Sequence, residues 1–542
     1  MERYIHVLLG CLLVACLVTG EARSIGTATV PEQGPGGTKT RIRSGDEVFS
    51  VTDDATRGAV QWHRHFDDAI YLTAAISSAA DVAAAGTYWN APIHVEAVPL
   101  SDDGTADWTF EGNHFLVDAS RGGEVIAAVD FSDADSTAII REWRPDASTP
   151  LWTERVHPCR SLVYQGWSSR KPVQVSDDGS TIAVALVMYT PSGQRGRLYV
   201  FDAGSGTPAV VYDFPTGNVV ATAISAEGDY IAMAGWPYVY VYDRYAEALR
   251  WSGTIGGGND ALAISGDGRY LAWGWSTFNL REWNGATYAS LWTHSPGGGL
   301  YTGQCGFAPD GTALAVAWDN GNNTDNEIWV DLYALPSLEI LWTYDYAGGA
   351  GAPGRDHVDI PSQLVFAPNG ERFAIASWGG SFPEVHVFDR AQREPILVYD
   401  TPGSMFDIDI ATSIRGDTFV TACGKAVHAG QGGRGGDHYA FRIPGPSSGV
   451  GPAPSLGLRG GLDASLRGDG SVRIDYALPR DGQVRLTVHD AAGRVVGRLL
   501  EGYRPAGWGH VVWGASRAPS GVYYAHLLGE GNREVGRFLI VR

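Results

Sequence analysis

One pattern recurs along most of the 542 residues, and an internal repeat constrains a fold more than any local motif. The segment ISGDGRYLAWGW from Ile264 is a tight turn followed by a strongly apolar run. Related segments start at Ile76, Ser120, Val175, Ile224, Phe307, Phe366 and, more weakly, Ser413, making eight copies. After each comes a second motif, in which an alternating strand leads through a turn into an aromatic strand, as in VYVYDRYAEALRW from Val239. The aromatic anchors are Trp108, Trp152, Tyr212, Trp251, Trp292, Trp342 and Tyr399, with Trp62 of AVQWHRHF as the eighth.

The turn dipeptides Asp-Gly, Glu-Gly and Asn-Gly permit positive φ in a hairpin. Each unit therefore supplies an apolar strand, a turn and two half-buried strands. A single four-stranded sheet cannot bury both faces, whereas a ring of stacked sheets buries them and leaves only short edges. The repeat predicts an all-β chain with a β-propeller of about eight blades over residues 46–443, seven being the alternative count. YLAWGW then reads as a covered strand whose tryptophans pack between blades. A ring must close, and Trp62 is placed to complete the last unit, whose strands run from about Met405 to Ile443. EVFSV from Glu47 and HYAFRI from His438 compete for one strand position there.

A net charge of -20, with 40 Lys and Arg that form no cluster, argues against a nucleic-acid partner, because phosphate binding needs clustered cations. Arg3 followed by VLLGCLLVACLV has the form of a secretory signal, too short to span a bilayer stably, with cleavage after Ala22. No transmembrane anchor is expected, and the chain reads as secreted or at the cell surface. The alternative is a lipoprotein, since Leu13 to Cys16 approaches a lipobox. Residues 23–45 read as a flexible segment. Cys159, Cys305 and Cys423 are too widely spaced for a disulfide framework and read as small buried hydrophobes.

At Pro444 the repeat stops, and residues 444–455 form a Pro/Gly/Ser linker. Residues 456–542 carry short alternating segments such as VRIDYAL, QVRLTVHD and GVYYAHLLG between Gly-rich turns, the pattern of a small β-sandwich.

The segment DAGSGTPAVVYDFPTG from Asp202 resembles the blade repeat of quinoprotein-dehydrogenase-like propellers, and the Asp-Gly turns resemble those of WD-type and related bacterial surface propellers. The resemblance implies the fold. It does not extend to quinone chemistry, because the vicinal Cys-Cys pair of those dehydrogenases is absent here. The C-terminal segment resembles the Ig-like domain of flagellar hook-capping proteins and the type IX secretion sorting domain. Val488-His489-Asp490, Gly493-Arg494, Pro505-Ala506-Gly507, Ser520 to Tyr524 and Phe538 to Arg542 carry that resemblance. It implies attachment or sorting and, as a partner, the export or sorting machinery.

Three segments carry candidate chemistry. DNGNNTDNE from Asp319 alternates oxygen side chains, and Asp319, Asn323 and Asp325 could ligate calcium, although the EF-hand spacing is missing. Arg355, Asp356, His357 and Asp359 sit in a long Gly-rich segment of the kind that contacts ligands on a rigid scaffold. His63 and His65 share one face of the closing strand, but no third metal ligand lies nearby in sequence, so they read as a surface pair. No cofactor is expected apart from calcium at the first segment, and no P-loop, HExxH or GxSxG motif occurs. The sequence reading is an exported, non-enzymatic binding or scaffold module for a protein or glycan. The alternative is a propeller hydrolase or lyase with its site at the central channel. Ionisable residues converging on the channel would favour the enzyme, and a channel filled by small and aromatic residues would favour binding.

Overall fold

A computed structural model describes residues 47–49 and, with gaps, 59–444 and 462–540; the longest gaps are 161–170, 320–327 and 347–359. No α-helix occurs among the described residues. The strands fall into two compact units, one holding those from 47 to 443 and the other those from 462 to 540.

The first unit is an eight-bladed propeller. Its innermost strands, in order, are Ile70–Ser77, Phe115–Ala119, Val173–Val175, Ala221–Ile224, Ala261–Ile264, Tyr301–Phe307, Ile360–Phe366 and Met405–Thr412. Each packs against the next, and the eighth packs against the first, so the ring closes. Blades 1, 2 and 4 to 7 are four-stranded antiparallel sheets built in chain order. In blade 3, Cys159–Arg160 and Val173–Val175 share the inner edge of one long strand, Thr181–Thr190. Blade 8 has five strands and takes two of them from the beginning of the chain. Ala59–Phe66 pairs with Gly436–Ile443, and Glu47–Phe49 pairs outside it. The competition between the two segments is thus settled by giving each a position: the strand from Gly436 is third, Ala59–Phe66 is fourth and Glu47–Phe49 is fifth.

The aromatic anchors explain why the blades stack. All eight lie on the fourth strand of their blade. Seven of them meet an aromatic residue of the next blade: Trp108 with Trp143, Trp152 with Phe201, Tyr212 with Tyr242, Trp251 with Trp273, Trp292 with Trp318, Trp342 with Phe388, and Tyr399 with Phe441. Trp62 is fully buried and repeats the geometry at the closure. Its Nε1 donates to Pro99 O of blade 1 at 2.8 Å, as Trp108 Nε1 donates to Pro145 O of blade 2 at 2.7 Å. Trp273 of YLAWG is likewise buried within this packing. The second strand of blade 1, Val82–Tyr88, approaches the inner strand of blade 2 so closely that a Cβ on Gly86 would lie 2.7 Å from Phe115 O. Cys159, Cys305 and Cys423 are free and buried.

The second unit consists of two antiparallel sheets. One holds Leu462–Leu466, Val472–Leu478 and Gly507–Trp513, and the other has the order Val495–Arg504, Gly482–Asp490, Gly521–Gly529, Asn532–Ile540. Alternate residues Ile474, Leu486, Val488, Ala525, Leu527 and Ile540 fill one core between them.

Truncating the buried indole at the closure, Trp62→Ala, is expected to cost about 3–5 kcal/mol, the range for large aromatic side chains in a core. In hydrogen exchange, protection should fall first in residues 59–66 and 436–443. A denaturation midpoint equal to that of the parent protein would mean that the closing strand does not hold the ring.

Candidate functional site

The inner strands are edges, with backbone N–H groups that no fifth strand can satisfy. Side chains of neighbouring blades supply the acceptors. Thr73 accepts from Val117 N, Asp118 from Val175 N, Asp407 from Ala74 N and Asp409 from Ile76 N, all at 2.7–2.9 Å. Three of these acceptors are carboxylates, and their charge has to be compensated inside the ring.

Lys171, just before the inner strand of blade 3, provides one cation. Its Nζ lies 2.6 Å from Asp407 Oδ2 and 3.8 Å from Asp118 Oδ1, and donates to Ala74 O at 3.2 Å. Arg121, in the first turn of blade 2, provides the other. It lies 3.1 Å from Asp177 and 3.9 Å from Asp409, and its Nη1 reaches across the channel to donate to Phe366 O of blade 7 at 2.8 Å. Gln363 of blade 7 donates to Asp407 Oδ1 at 3.4 Å. Blades 1, 2, 3, 7 and 8 therefore converge on one charged cluster. Burial pushes the Asp118 and Asp407 carboxyls up to about 6, against the pull of Lys171. Burial opposes the charge on Lys171, but Asp407 and Asp118 outweigh it and keep the ammonium above its ordinary value.

The cluster borders a channel cavity of about 150 Å³, whose opposite wall is apolar and small: Ala223, Leu262, Ala263, Cys305 and Gly306. At the turn face the rim is tight. Asp178 N donates to Ala226 O, and Ala226 N donates to Gly266 O, so consecutive turns are bonded to one another. A Cβ on Gly266 would lie 3.3 Å from both Ala226 Cβ and Pro309 O. The channel thus has both features that the sequence reading set against each other, convergent charge on one side and small apolar residues on the other. Cys305 is not a nucleophile in waiting, because burial pushes its thiol far above the ordinary range.

The segments singled out in the sequence stand elsewhere. Asp319 is buried at the end of the strand Ala313–Asp319, and Asn323 and Asp325 lie outside the described residues. Arg355, Asp356, His357 and Asp359 also lie outside them. The closing-strand histidines are different. His63 Nε2 and His65 Nδ1 each lie 2.8 Å from Asp437 Oδ1, a carboxylate 374 and 372 positions away in the chain. On the other face of that strand Arg64 forks onto the fully buried Glu96, with Nε 3.0 Å from Oε2. Glu96 also meets His438 at 2.9 Å, His94 at 3.2 Å and the Tyr71 hydroxyl at 2.9 Å. Burial opposes ionisation of Glu96, but Arg64 and the two histidines hold its carboxyl well below the usual range. The sequence reading passed over Asp407, Asp409, Lys171 and Glu96. The available signal was FDIDI and HVEAV, where acids alternate inside strands too apolar to face water.

No family model matches the chain, and no curated protein matches it in sequence. Among solved structures it is similar to Sqt1 of Chaetomium thermophilum bound to the N-terminus of a ribosomal protein (15% identity, 70% of this chain and 98% of that one, TM-score 0.49). It is also similar to the C-terminal WD40 domain of Sif2 (12% identity, 73% and 99%, TM-score 0.48). Likenesses of that order add nothing to the strand pairing, which by itself establishes the ring.

Replacing the central cation, Lys171→Met, leaves Asp407 and Asp118 buried without their counter-charge, and should destabilise the propeller by about 3–5 kcal/mol. Restoring neutrality with Asp407→Asn in the same chain should recover part of that loss. Equal stability of Lys171→Met and the parent in urea would show that the cluster does not hold the blades together.

Proposed function

We propose that this chain is an exported binding module, in which the propeller presents a rigid ring surface to a protein or glycan and catalyses no reaction. The observation that carries this reading is the commitment of the channel's charged groups to one another. Lys171 and Arg121 are each held by aspartates, and three of those, Asp118, Asp407 and Asp409, cap backbone N–H groups of neighbouring blades. Groups spent in this way make a stiff ring, and a stiff ring loses little conformational entropy when it binds. Arg121 and Asp177, each about a quarter exposed, stand at the mouth of the channel and are placed to meet a ligand there. The N-terminal apolar stretch and the resemblance of residues 456–542 to hook-capping Ig-like and type IX sorting domains support export and attachment. On this reading the second unit addresses or tethers the chain, and the propeller does the binding.

One observation favours a catalytic reading instead. Two carboxyls raised to about 6 flank a buried lysine beside a cavity, and perturbed groups of that kind concentrate at functional sites. A hydrolase or lyase would use one of the aspartates as base and the other as acid.

The test uses the mature protein recovered from its host. Its intact mass reports removal of the leader and of the C-terminal unit. Immobilised, it should capture a component of the host's extracellular fraction saturably. Reversing charge at the channel mouth with Asp177→Lys should weaken that capture about tenfold or more, while Arg393→Glu on an exposed turn should not. Capture unaffected by Asp177→Lys, together with turnover of a polysaccharide or peptide that is lost in Asp118→Asn, would replace the binding reading by the catalytic one.

A further inference from the structure

The closing strand AVQWHRHF alternates, so its two faces do different work. Trp62 and Arg64 face blade 1. His63 and His65 face the other way, and Asp437 of the neighbouring strand comes to the same face, opposite His65 in the ladder. Their three ligand atoms, two imidazole nitrogens and one carboxylate oxygen, all lie within 4.8 Å of one another. We propose that His63, His65 and Asp437 form a binding site for a borderline divalent metal ion such as zinc, bound across the strand pair that closes the ring.

The chemistry of the donors selects the ion. Two imidazoles and one carboxylate suit zinc and neighbouring late transition metals, whereas calcium and magnesium require oxygen ligands throughout. The supporting groups are those a metal-bound histidine requires. His65 turns Nδ1 to Asp437 and places Nε2 3.4 Å from Asp67 Oδ1, so its second nitrogen has a carboxylate to orient it. The ring of His63 is stacked on Tyr439, with centroids 4.2 Å apart and planes 4° from parallel, which fixes its direction. The Tyr439 hydroxyl donates to Asp437 Oδ2 at 3.4 Å, leaving Oδ1 for the metal. Asp437 is buried, while the side chains of His63 and His65 are 20% and 33% exposed, so an ion can enter from solvent and keep a water or an exogenous group as a further ligand. The site is separate from the channel cluster and does not depend on the binding reading above.

The experiment is zinc titration of the metal-stripped full chain by calorimetry, with metal content measured after desalting. About one zinc ion per chain should bind at micromolar affinity or tighter. His65→Gln and Asp437→Asn should each weaken binding roughly 10–100-fold, while His526→Gln, which removes a histidine of the second unit, should leave it unchanged. Near-UV circular dichroism identifies any variant that fails to fold. The parent chain gives a second readout: with cobalt in place of zinc, X-ray absorption should show two imidazoles in the metal's first shell. No zinc retained by the parent, equal affinity in His65→Gln, or a cobalt spectrum without imidazole scattering would overturn the proposal.

Discussion

The ring depends on one junction, at which the far end of the propeller is brought back to its beginning. Blades 1 to 8 follow one another in sequence, so seven of their interfaces join neighbours in the chain. The eighth brings Met405–Ile443 back against blade 1, more than 300 positions away, and Ala59–Phe66, which runs on into blade 1, completes it; three sets of contacts make it. Asp407 and Asp409 cap the inner strand of blade 1, Glu96 gathers Arg64 and His438 in the middle layer, and Trp62 packs at the outside. Elsewhere aromatic anchors carry the outer contact between blades. At the closure an ionic hub is added to that anchor, and what it adds is specificity: the buried Glu96, beside His94 of its own strand, is matched by a neighbour that brings Arg64 and His438 to it in register.

Much of this was legible in the sequence, because it is written in residues that repeat. The turn dipeptides and the anchors from Trp108 to Tyr399 recur with the blade, and Trp62 was identifiable as the missing anchor because every other unit had one. The order within blade 8 was not legible. Glu47–Phe49 and Gly436–Ile443 are both good strands, and only their pairing partners show that neither displaces the other. The charged cluster was hidden for a different reason. Lys171, Arg121 and Asp407 occur once each, not once per blade, so repeat analysis averages them away. The third partner of His63 and His65 was invisible because a strand ladder brought it from the far end of the propeller.

The two sides of the channel follow from where the ring is closed. On the side of blades 4 to 6 the channel is lined by Ala223, Ile224, Leu262, Ala263, Cys305 and Gly306, which call for no counter-charge. On the side of blades 8, 1, 2 and 3 carboxylates satisfy strand edges, and each buried carboxylate then calls for a cation. Lys171 and Arg121 answer that demand, and Arg121 in doing so crosses to Phe366 of blade 7 and ties the two sides together. The polarity of the channel is therefore accounted for by closure and edge satisfaction, without invoking a substrate. That is the physical ground for placing recognition at the rim, where Arg121 and Asp177 retain exposure, and not in the depth of the channel.

Closure is also the strand pairing of greatest sequence separation in the propeller. His65 and Asp437 face each other only when the strand at residue 59 meets the strand at residue 436. Pairings of such sequence separation form slowly, because the loop must close before any contact rewards it. The two histidines lie two residues apart on one strand, and Asp437 joins them only when that strand pairs with Gly436–Ile443. An ion that uses all three ligands distinguishes the closed ring from every open form and stabilises the closed one by mass action. The faces of one eight-residue strand thus divide the labour: Trp62 and Arg64 recognise blade 1, and His63 and His65 register that the recognition is complete.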